Sequence, residues 1–126
     1  MKDIRLIRIL FYMFLFLQIP IIAHAGEEEL NNSLILEVKA GNAEMVKYWL
    51  NQGADPNAKA QSGPNTGRSA LFLAAREGHF ECAQILLSAG ADVDTRDFYG
   101  ETPLSVATRK GHNKIVQILK EAGAKE

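Results

Sequence analysis

The chain has 126 residues, a length typical of one domain, and its formal net charge is −1 at pH 7. Acidic and basic residues are mixed along it, which excludes the concentrated basic face that nucleic-acid-binding proteins use. Because Cys82 is the single cysteine, an intramolecular disulfide and a cysteine-based metal cluster are both excluded.

The first 25 residues have the layout of a secretory signal peptide, which predicts cleavage after Ala25. Three basic residues within the first eight precede the apolar run Ile9–Ile22 and the small-x-small pattern Ala23-His24-Ala25. The alternative is a retained membrane anchor, although a run of 14 residues is shorter than the 20 or so that a spanning helix needs. We expect an exported protein, periplasmic or secreted, whose net charge without the leader is −3 because three basic residues and one acidic residue are lost.

The predicted mature domain, residues 26–126, contains three similar segments. In each segment a leucine precedes a glycine by seven positions, and a Gly-Ala pair begins twelve positions after that glycine. The glycines are Gly41, Gly78 and Gly111, so neighbouring copies are 37 and 33 residues apart. The repeats therefore cover about 31–59, 67–95 and 100–126, with an inserted loop at about 58–66. Repeats of this length are typical of solenoids.

Each copy is predicted to fold as two short helices, most clearly in the third. Thr102 is a natural N-cap, and Pro103 suits the first helical position because its missing N–H has no partner there. Gly111 is expected to end the first helix and Gly123 the second. One such helix pair leaves its apolar side uncovered, so stability requires stacked neighbours.

Two of the segments carry the landmarks of a known family. "GRSALFLAAREGHFECAQILLSAGADVD" and "GETPLSVATRKGHNKIVQILKEAGA" resemble the ankyrin repeat in their Gly–Thr-Pro-Leu, Ala-Ala, Gly-His and Gly-Ala-Asp positions. The resemblance covers about residues 31–125 and implies an all-α ankyrin-repeat solenoid of about three helix–turn–helix repeats with short β-hairpin-like fingers. It also implies an N-terminal capping repeat, since the first copy lacks Thr-Pro, and a polar C-terminal cap at Lys120.

The same resemblance implies a protein-binding surface on the finger tips and on the exposed side of the first helix of each repeat. The corresponding positions are Lys59, Asn65, Thr66, Arg68, Arg76, Glu77, Arg96, Phe98, Tyr99, Glu101, Arg109 and Lys110. This set has six basic residues against two acidic ones, which favours an acidic protein partner. We expect a monomer that binds neither nucleic acid nor a small-molecule substrate, and that meets a membrane only if the leader is retained.

Three residues outside this set could carry chemistry. His79 and His112 are 33 residues apart and could form half a metal site, but a zinc site needs three or four ligands and no third is evident. The resemblance implies instead that they begin the second helices and bond to backbone. Cys82 could be a nucleophile beside His79, although its apolar position favours a buried and inert thiol. No catalytic motif is present, so we expect neither an enzyme nor a cofactor.

Three features have two interpretations each. Tyr48 and Trp49 either pack in the core of the first repeat or anchor a partner. The four extra residues of the inserted loop are either a neutral lengthening or part of the partner-binding side. Phe98 and Tyr99 either recognise a partner or pack against the loop over residues 58–67.

Overall fold

The computed structural model describes the backbone of residues 19–125 and the side chains of residues 26–125. Most of the predicted leader therefore lies outside the described residues, and cleavage after Ala25 stays a prediction. The described part contains six α-helices, and no helix in it combines the length and the apolar character that crossing a membrane requires. The helices are α1 Ile19–Ala40, α2 Ala43–Asn51, α3 Ala70–Glu77, α4 Phe80–Ser88, α5 Pro103–Lys110 and α6 Asn113–Glu121.

The helices stack as three antiparallel pairs. Within each repeat the two helices pack together, α1 on α2, α3 on α4 and α5 on α6. The inner helices α1, α3 and α5 form one layer, and the outer helices α2, α4 and α6 form a second layer in the same order. This arrangement confirms the predicted all-α solenoid of three repeats.

The predicted turns lie where the sequence places them. The Thr102 side chain accepts from the N–H of Ser105, and the Ser105 hydroxyl accepts from the N–H of Thr102, which completes a capping box around Pro103. Gly78 and Gly111 end the inner helices α3 and α5, each with a φ of +78°. A residue with a side chain would be strained in this left-handed conformation, which explains why the repeat has glycine there.

The core lies between the two helix layers. Equivalent positions in successive repeats are fully buried, as Leu71 and Leu104 on the inner helices and Leu86 and Leu119 on the outer ones illustrate. Phe72, the neighbour of Leu71 on α3, is also buried. Hydrophobic burial across repeats therefore provides the stabilisation that a single helix pair lacks.

The two ends of the solenoid differ. Helix α1 spans Ile19–Ala40 and so includes residues before the predicted repeat boundary at residue 31, and no glycine or proline interrupts residues 27–40. Leu36 is 62% exposed on α1, whereas its equivalents Leu73 and Val106 are fully buried because a preceding repeat covers them. At the other end Lys120 is exposed where the preceding repeat has Leu87, as expected for a polar cap.

The segments between repeats are hairpin-like but contain little β-structure. The first finger (residues 58–69) has an isolated antiparallel bridge between Lys59 and Ser69, and the described residues contain no named strand. Its inserted loop forms a short 3-10 helix at Gly63–Asn65. The second finger (residues 95–101) is a tight turn in which the N–H of Gly100 donates to the carbonyl of Asp97 at 3.0 Å.

Candidate protein-binding surface

The tip of the second finger exposes two adjacent aromatic rings. Phe98 is 79% exposed and Tyr99 is 83% exposed. The turn beneath them is built on Asp97, whose Oδ1 accepts the backbone N–H groups of Tyr99 and Glu101, each at 2.9 Å. A short acidic side chain and a glycine at Gly100 with a φ of +76° therefore fix a turn that projects both rings outward.

The ring of Phe98 also rests against the first finger. A Cβ atom added at Gly67 would lie only 2.7 Å from Cε2 of Phe98, and the φ of Gly67 is +81°. The glycine therefore allows the ring to approach the backbone of the neighbouring finger. The structure therefore shows the predicted packing of Phe98 against the loop, at Gly67, while recognition of a partner by the exposed part of the ring stays a prediction.

Asp97 also connects the second finger to the first. The Arg68 Nε donates to Asp97 Oδ2 at 3.2 Å, and the Asp97 side chain is only 1% exposed. Burial alone raises the pKa of the Asp97 carboxyl, but the N–H of Glu101, the Arg68 guanidinium and the N–H of Tyr99 together hold it below its ordinary value. Asp97 is therefore a buried, charged carboxylate that fixes the tip of the second finger and links it to Arg68 of the first finger.

Asn65 has a different place from the predicted one. The sequence put it on the binding surface, whereas the structure buries it, with 7% exposure. Its Oδ1 accepts from Nη1 of Arg76 at 2.8 Å and from Nη1 of Arg68 at 3.3 Å. The prediction that Asn65 contacts a partner at the surface is wrong, because its side chain is buried and its amide oxygen accepts hydrogen bonds from two arginines of the same chain.

The other candidates divide by exposure. Half-buried positions are Arg68, Arg76 and Glu101. Exposed positions are Lys59, Thr66, Glu77, Arg96, Phe98, Tyr99, Arg109 and Lys110. The exposed group extends from both finger tips to the C-terminal ends of the inner helices α3 and α5, so these residues lie along one side of the repeats.

The positive charge of the surface is smaller than the sequence suggests. Three of its arginines have acidic partners: Arg68 pairs with Asp97, Arg76 with Glu77 at 2.8 Å, and Arg109 with Glu101 at 3.1 Å. Arg96 donates from Nη1 to the carbonyl of Gly100 at 3.0 Å, and no carboxylate pairs with it in the described part of the chain. Asp97 is absent from the predicted set, although an aspartate three positions before a glycine is typical of a turn and was the signal that could have found it.

The two histidines join neighbouring repeats. His79 Nε2 lies 3.2 Å from the carbonyl oxygen of Lys39, and His112 Nε2 lies 3.1 Å from that of Arg76. Each ring also covers the glycine that ends the preceding inner helix, Gly41 or Gly78. The prediction of backbone bonding at the start of the second helix is confirmed, and no group of three metal-binding side chains occurs in the described part of the chain.

Cys82 is a buried free thiol on α4. Burial, followed by the nearby Glu81 carboxylate, raises the pKa of this thiol above its ordinary value. A thiol with a raised pKa has little of the thiolate that nucleophilic attack requires. These features support the prediction of an inert side chain.

Tyr48 and Trp49 separate into two environments. Tyr48 is half exposed on α2, whereas Trp49 packs partly against the core and meets Tyr48 edge-on with ring centroids 5.1 Å apart. The buried Trp49 Nε1 has no acceptor within the described residues. Core packing is therefore confirmed for Trp49 and is wrong for Tyr48, because Tyr48 lies on the outer side of the first repeat.

Comparison with known proteins agrees with this geometry. Residues 34–126 match the family described as ankyrin repeats in three copies. The chain is 38% identical over 70 residues, 56% of its length, to Ankyrin repeat domain-containing protein 17 of Homo sapiens. It is 36% identical over 77 residues, 61% of its length, to the potassium channel KOR1 of Oryza sativa subsp. japonica. It is 38% identical over 79 residues, 63% of its length, to the Neurogenic locus Notch protein of Drosophila melanogaster.

The likeness concerns the repeats and not the whole relatives. The matched segments make up 3%, 8% and 3% of those three proteins, respectively. The family match covers most of the chain and all three structural repeats, so the chain belongs to the ankyrin-repeat family, whose repeats are protein-binding modules.

Proposed function

We propose that this chain is an exported, non-enzymatic module that binds one protein partner through the tip of its second finger and protects or modulates that partner. The observation that carries this proposal is the exposure of Phe98 and Tyr99, 79% and 83%, on a turn fixed by a buried carboxylate. Large aromatic residues are enriched at binding hot spots, and two adjacent exposed rings are costly in a protein that leaves them unused.

The charges around the tip support an acidic partner surface. Lys59, Arg96 and Lys110 are exposed, and no carboxylate pairs with them among the described residues. The predicted mature domain as a whole has a net charge of −3, so this side differs in sign from the rest of the molecule. Complementary charge would speed the encounter with an acidic partner and fix its orientation.

Export is supported by the leader and by the cysteine. The basic start, the apolar run and the Ala23-His24-Ala25 pattern are typical of a cleaved signal peptide. A single thiol that is buried has no accessible partner for disulfide formation, which suits an oxidising compartment such as a periplasm. A secreted effector with the same surface is the alternative that differs only in destination.

A membrane-tethered accessory protein is the second candidate. The observation that favours it is the backbone of α1, which is helical without a break from Ile19 across Ala25 to Ala40. In this form the leader would be retained and the repeats would bind their partner close to a membrane.

Cell fractionation, with mass determination of the N-terminus, separates these forms. A chain that begins at Gly26 in the periplasm supports the main proposal, the same chain in the medium supports the effector, and an intact leader in the membrane supports the tether.

Affinity capture from the same compartment then tests partner binding. The Phe98→Ala/Tyr99→Ala variant should lose the captured protein, whereas Tyr48→Ala, which removes an exposed ring from α2, should retain it. Equal capture by both variants would reject the tip as the binding site.

A further inference from the structure

The inserted loop of the first finger is an ordered part of the fold. Gly63–Asn65 forms a 3-10 turn that the next residue closes, because the Thr66 hydroxyl donates to the carbonyl of Gly63 at 2.7 Å and the Thr66 N–H donates to it at 3.2 Å. The turn brings Asn65 into the protein although its neighbours are exposed. A neutral lengthening of a surface loop needs no buried polar side chain, so the turn serves the placement of Asn65.

Asn65 holds two guanidinium groups close to each other. Its Oδ1 accepts from Nη1 of Arg76 on the inner helix α3 and from Nη1 of Arg68 on the first finger. The two guanidinium groups are both positive and repel each other when they bind the same oxygen atom. The Asn65 Oδ1, as an acceptor shared by both, compensates for that repulsion. Carboxylates complete the arrangement on the outer sides, with Glu77 on Arg76 and Asp97 on Arg68.

Two contacts connect the same loop to the aromatic tip. Arg68 reaches Asp97, whose other oxygen holds the N–H groups of Tyr99 and Glu101. Gly67, which directly precedes Arg68 in the chain, lies under the ring of Phe98. The N–H of Arg68 donates to the carbonyl of Asn65 at 3.0 Å, so the position of the Arg68 backbone also depends on the inserted turn.

We propose that the inserted loop is a positioning element of the partner-binding surface, in which Asn65 fixes Arg76 and, through Arg68 and Asp97, the Phe98–Tyr99 tip. The inference rests on the proposed function of that tip. Its consequence for binding is preorganisation, since the tip and Arg76 are ordered on folding instead of on contact with the partner. Asn65 itself touches no partner.

Nuclear magnetic resonance of the free protein tests this inference without a partner. The variants are Asn65→Ala, which removes the shared acceptor, and Asn65→Asp, which keeps an oxygen at the same place. Asn57→Ala is the matched control, because Asn57 Oδ1 accepts the N–H of Asp92 at 2.7 Å and so links two repeats away from the tip. The readouts are the ring-current shift of the Gly67 α protons, the Arg76 Nε–H signal, and amide exchange at Tyr99 and Glu101.

In Asn65→Ala we expect the Gly67 α protons to lose their ring-current shift, the Arg76 signal to move, and the two amides to exchange about tenfold faster, the factor that the net loss of one hydrogen bond gives. Asn65→Asp should stay within about twofold of the wild type. Asn57→Ala should leave all three signals unchanged, even where it lowers the stability of the whole chain.

Unchanged signals in Asn65→Ala, or equal changes in Asn57→Ala, would overturn the inference. If Asn65→Ala does not fold, deletion of residues 62–65 tests the same point. The deletion removes the four extra residues, so that Asn57 and Gly67 are six positions apart, as Asp94 and Gly100 already are in the second finger. Wild-type exchange at Tyr99 and Glu101 in that deletion would equally overturn it. These results concern the free protein only, so they are independent of whether the tip proves to bind a partner.

Discussion

Replacing Gly78 by alanine should separate backbone strain from packing between repeats. Gly78 and Gly111 occupy the same place in successive repeats, each ending an eight-residue inner helix with a φ of +78°. They differ in what lies over them. A Cβ at Gly78 would lie 2.7 Å from Cε1 and 2.9 Å from Nδ1 of His112, whereas a Cβ at Gly111 would meet nothing within 4 Å. Gly111→Ala is therefore a control with matched conformation.

The difference in cost follows from these distances. Alanine in the left-handed region costs about 1–2 kcal/mol at either position. At Gly78 the His112 ring must also move, although its Nε2 is bonded to the carbonyl of Arg76 at 3.1 Å. Loss of that hydrogen bond costs about 0.5–1.5 kcal/mol, and overpacking adds about 1–3 kcal/mol. We expect Gly78→Ala to lower the free energy of unfolding by about 2.5–6.5 kcal/mol and Gly111→Ala by about 1–2 kcal/mol.

Urea denaturation of the purified variants, followed by circular dichroism, measures both costs. The double variant Gly78→Ala/His112→Ala is compared with His112→Ala alone. In that background Gly78→Ala should lower the free energy of unfolding only as much as Gly111→Ala does, because the His112 ring that the new Cβ would meet is absent. Equal destabilisation by the two single variants would refute the reasoning, since it would mean that the histidine ring does not hold its place over the glycine.

Three further predictions concern the core, the buried carboxylate and the thiol. Leu104→Ala should lower the free energy of unfolding by about 2–5 kcal/mol in the same urea assay, because Leu104 is buried, and a cost below about 1 kcal/mol would contradict its place in the core. The folded-state pKa of Asp97 is lowered, so its stabilisation is complete above the unfolded pKa of about 4 and is lost as the pH falls through the folded pKa. The stability advantage of the wild type over Asp97→Asn, measured by urea denaturation at a series of pH values, should therefore shrink below about pH 4, and a constant difference would contradict the ionised carboxylate. Cys82 should react with Ellman's reagent far more slowly in the native protein than in urea, and equal rates would show an accessible thiol.

The repeat architecture was predictable from the sequence because its determinants are local. Thr102 and Pro103 start a helix, Gly111 ends it, and the recurrence of these signals at a fixed interval specifies stacked pairs. The limits of helix α1 were less predictable. The first copy has no Thr-Pro signal, so the sequence marks no N-cap for α1, and the helix already includes residues 19–30, ahead of the predicted repeat.

The binding surface was predictable at the tip and not in the inserted loop. Phe98 and Tyr99 lie between Asp97 and Gly100, two residue types that favour a tight turn, and such a turn leaves both rings outside. The role of Asn65 depends on Arg76, eleven positions along the chain, and on Arg68, whose own partner Asp97 belongs to the next finger. Contacts of this kind arise only when the repeats stack, so a polar residue in a turn-rich segment gave no sign of its burial.

Site-specific photocrosslinking tests the central claim most directly. Benzoylphenylalanine in place of Tyr99 puts a reactive group on the exposed tip, and the same group in place of Tyr48 puts it on an exposed position of α2, outside the candidate surface. Irradiation in the compartment where the protein resides should crosslink a partner protein from position 99 and not from position 48. A crosslink from position 48 with none from position 99 would contradict the assignment of the second finger as the protein-binding site.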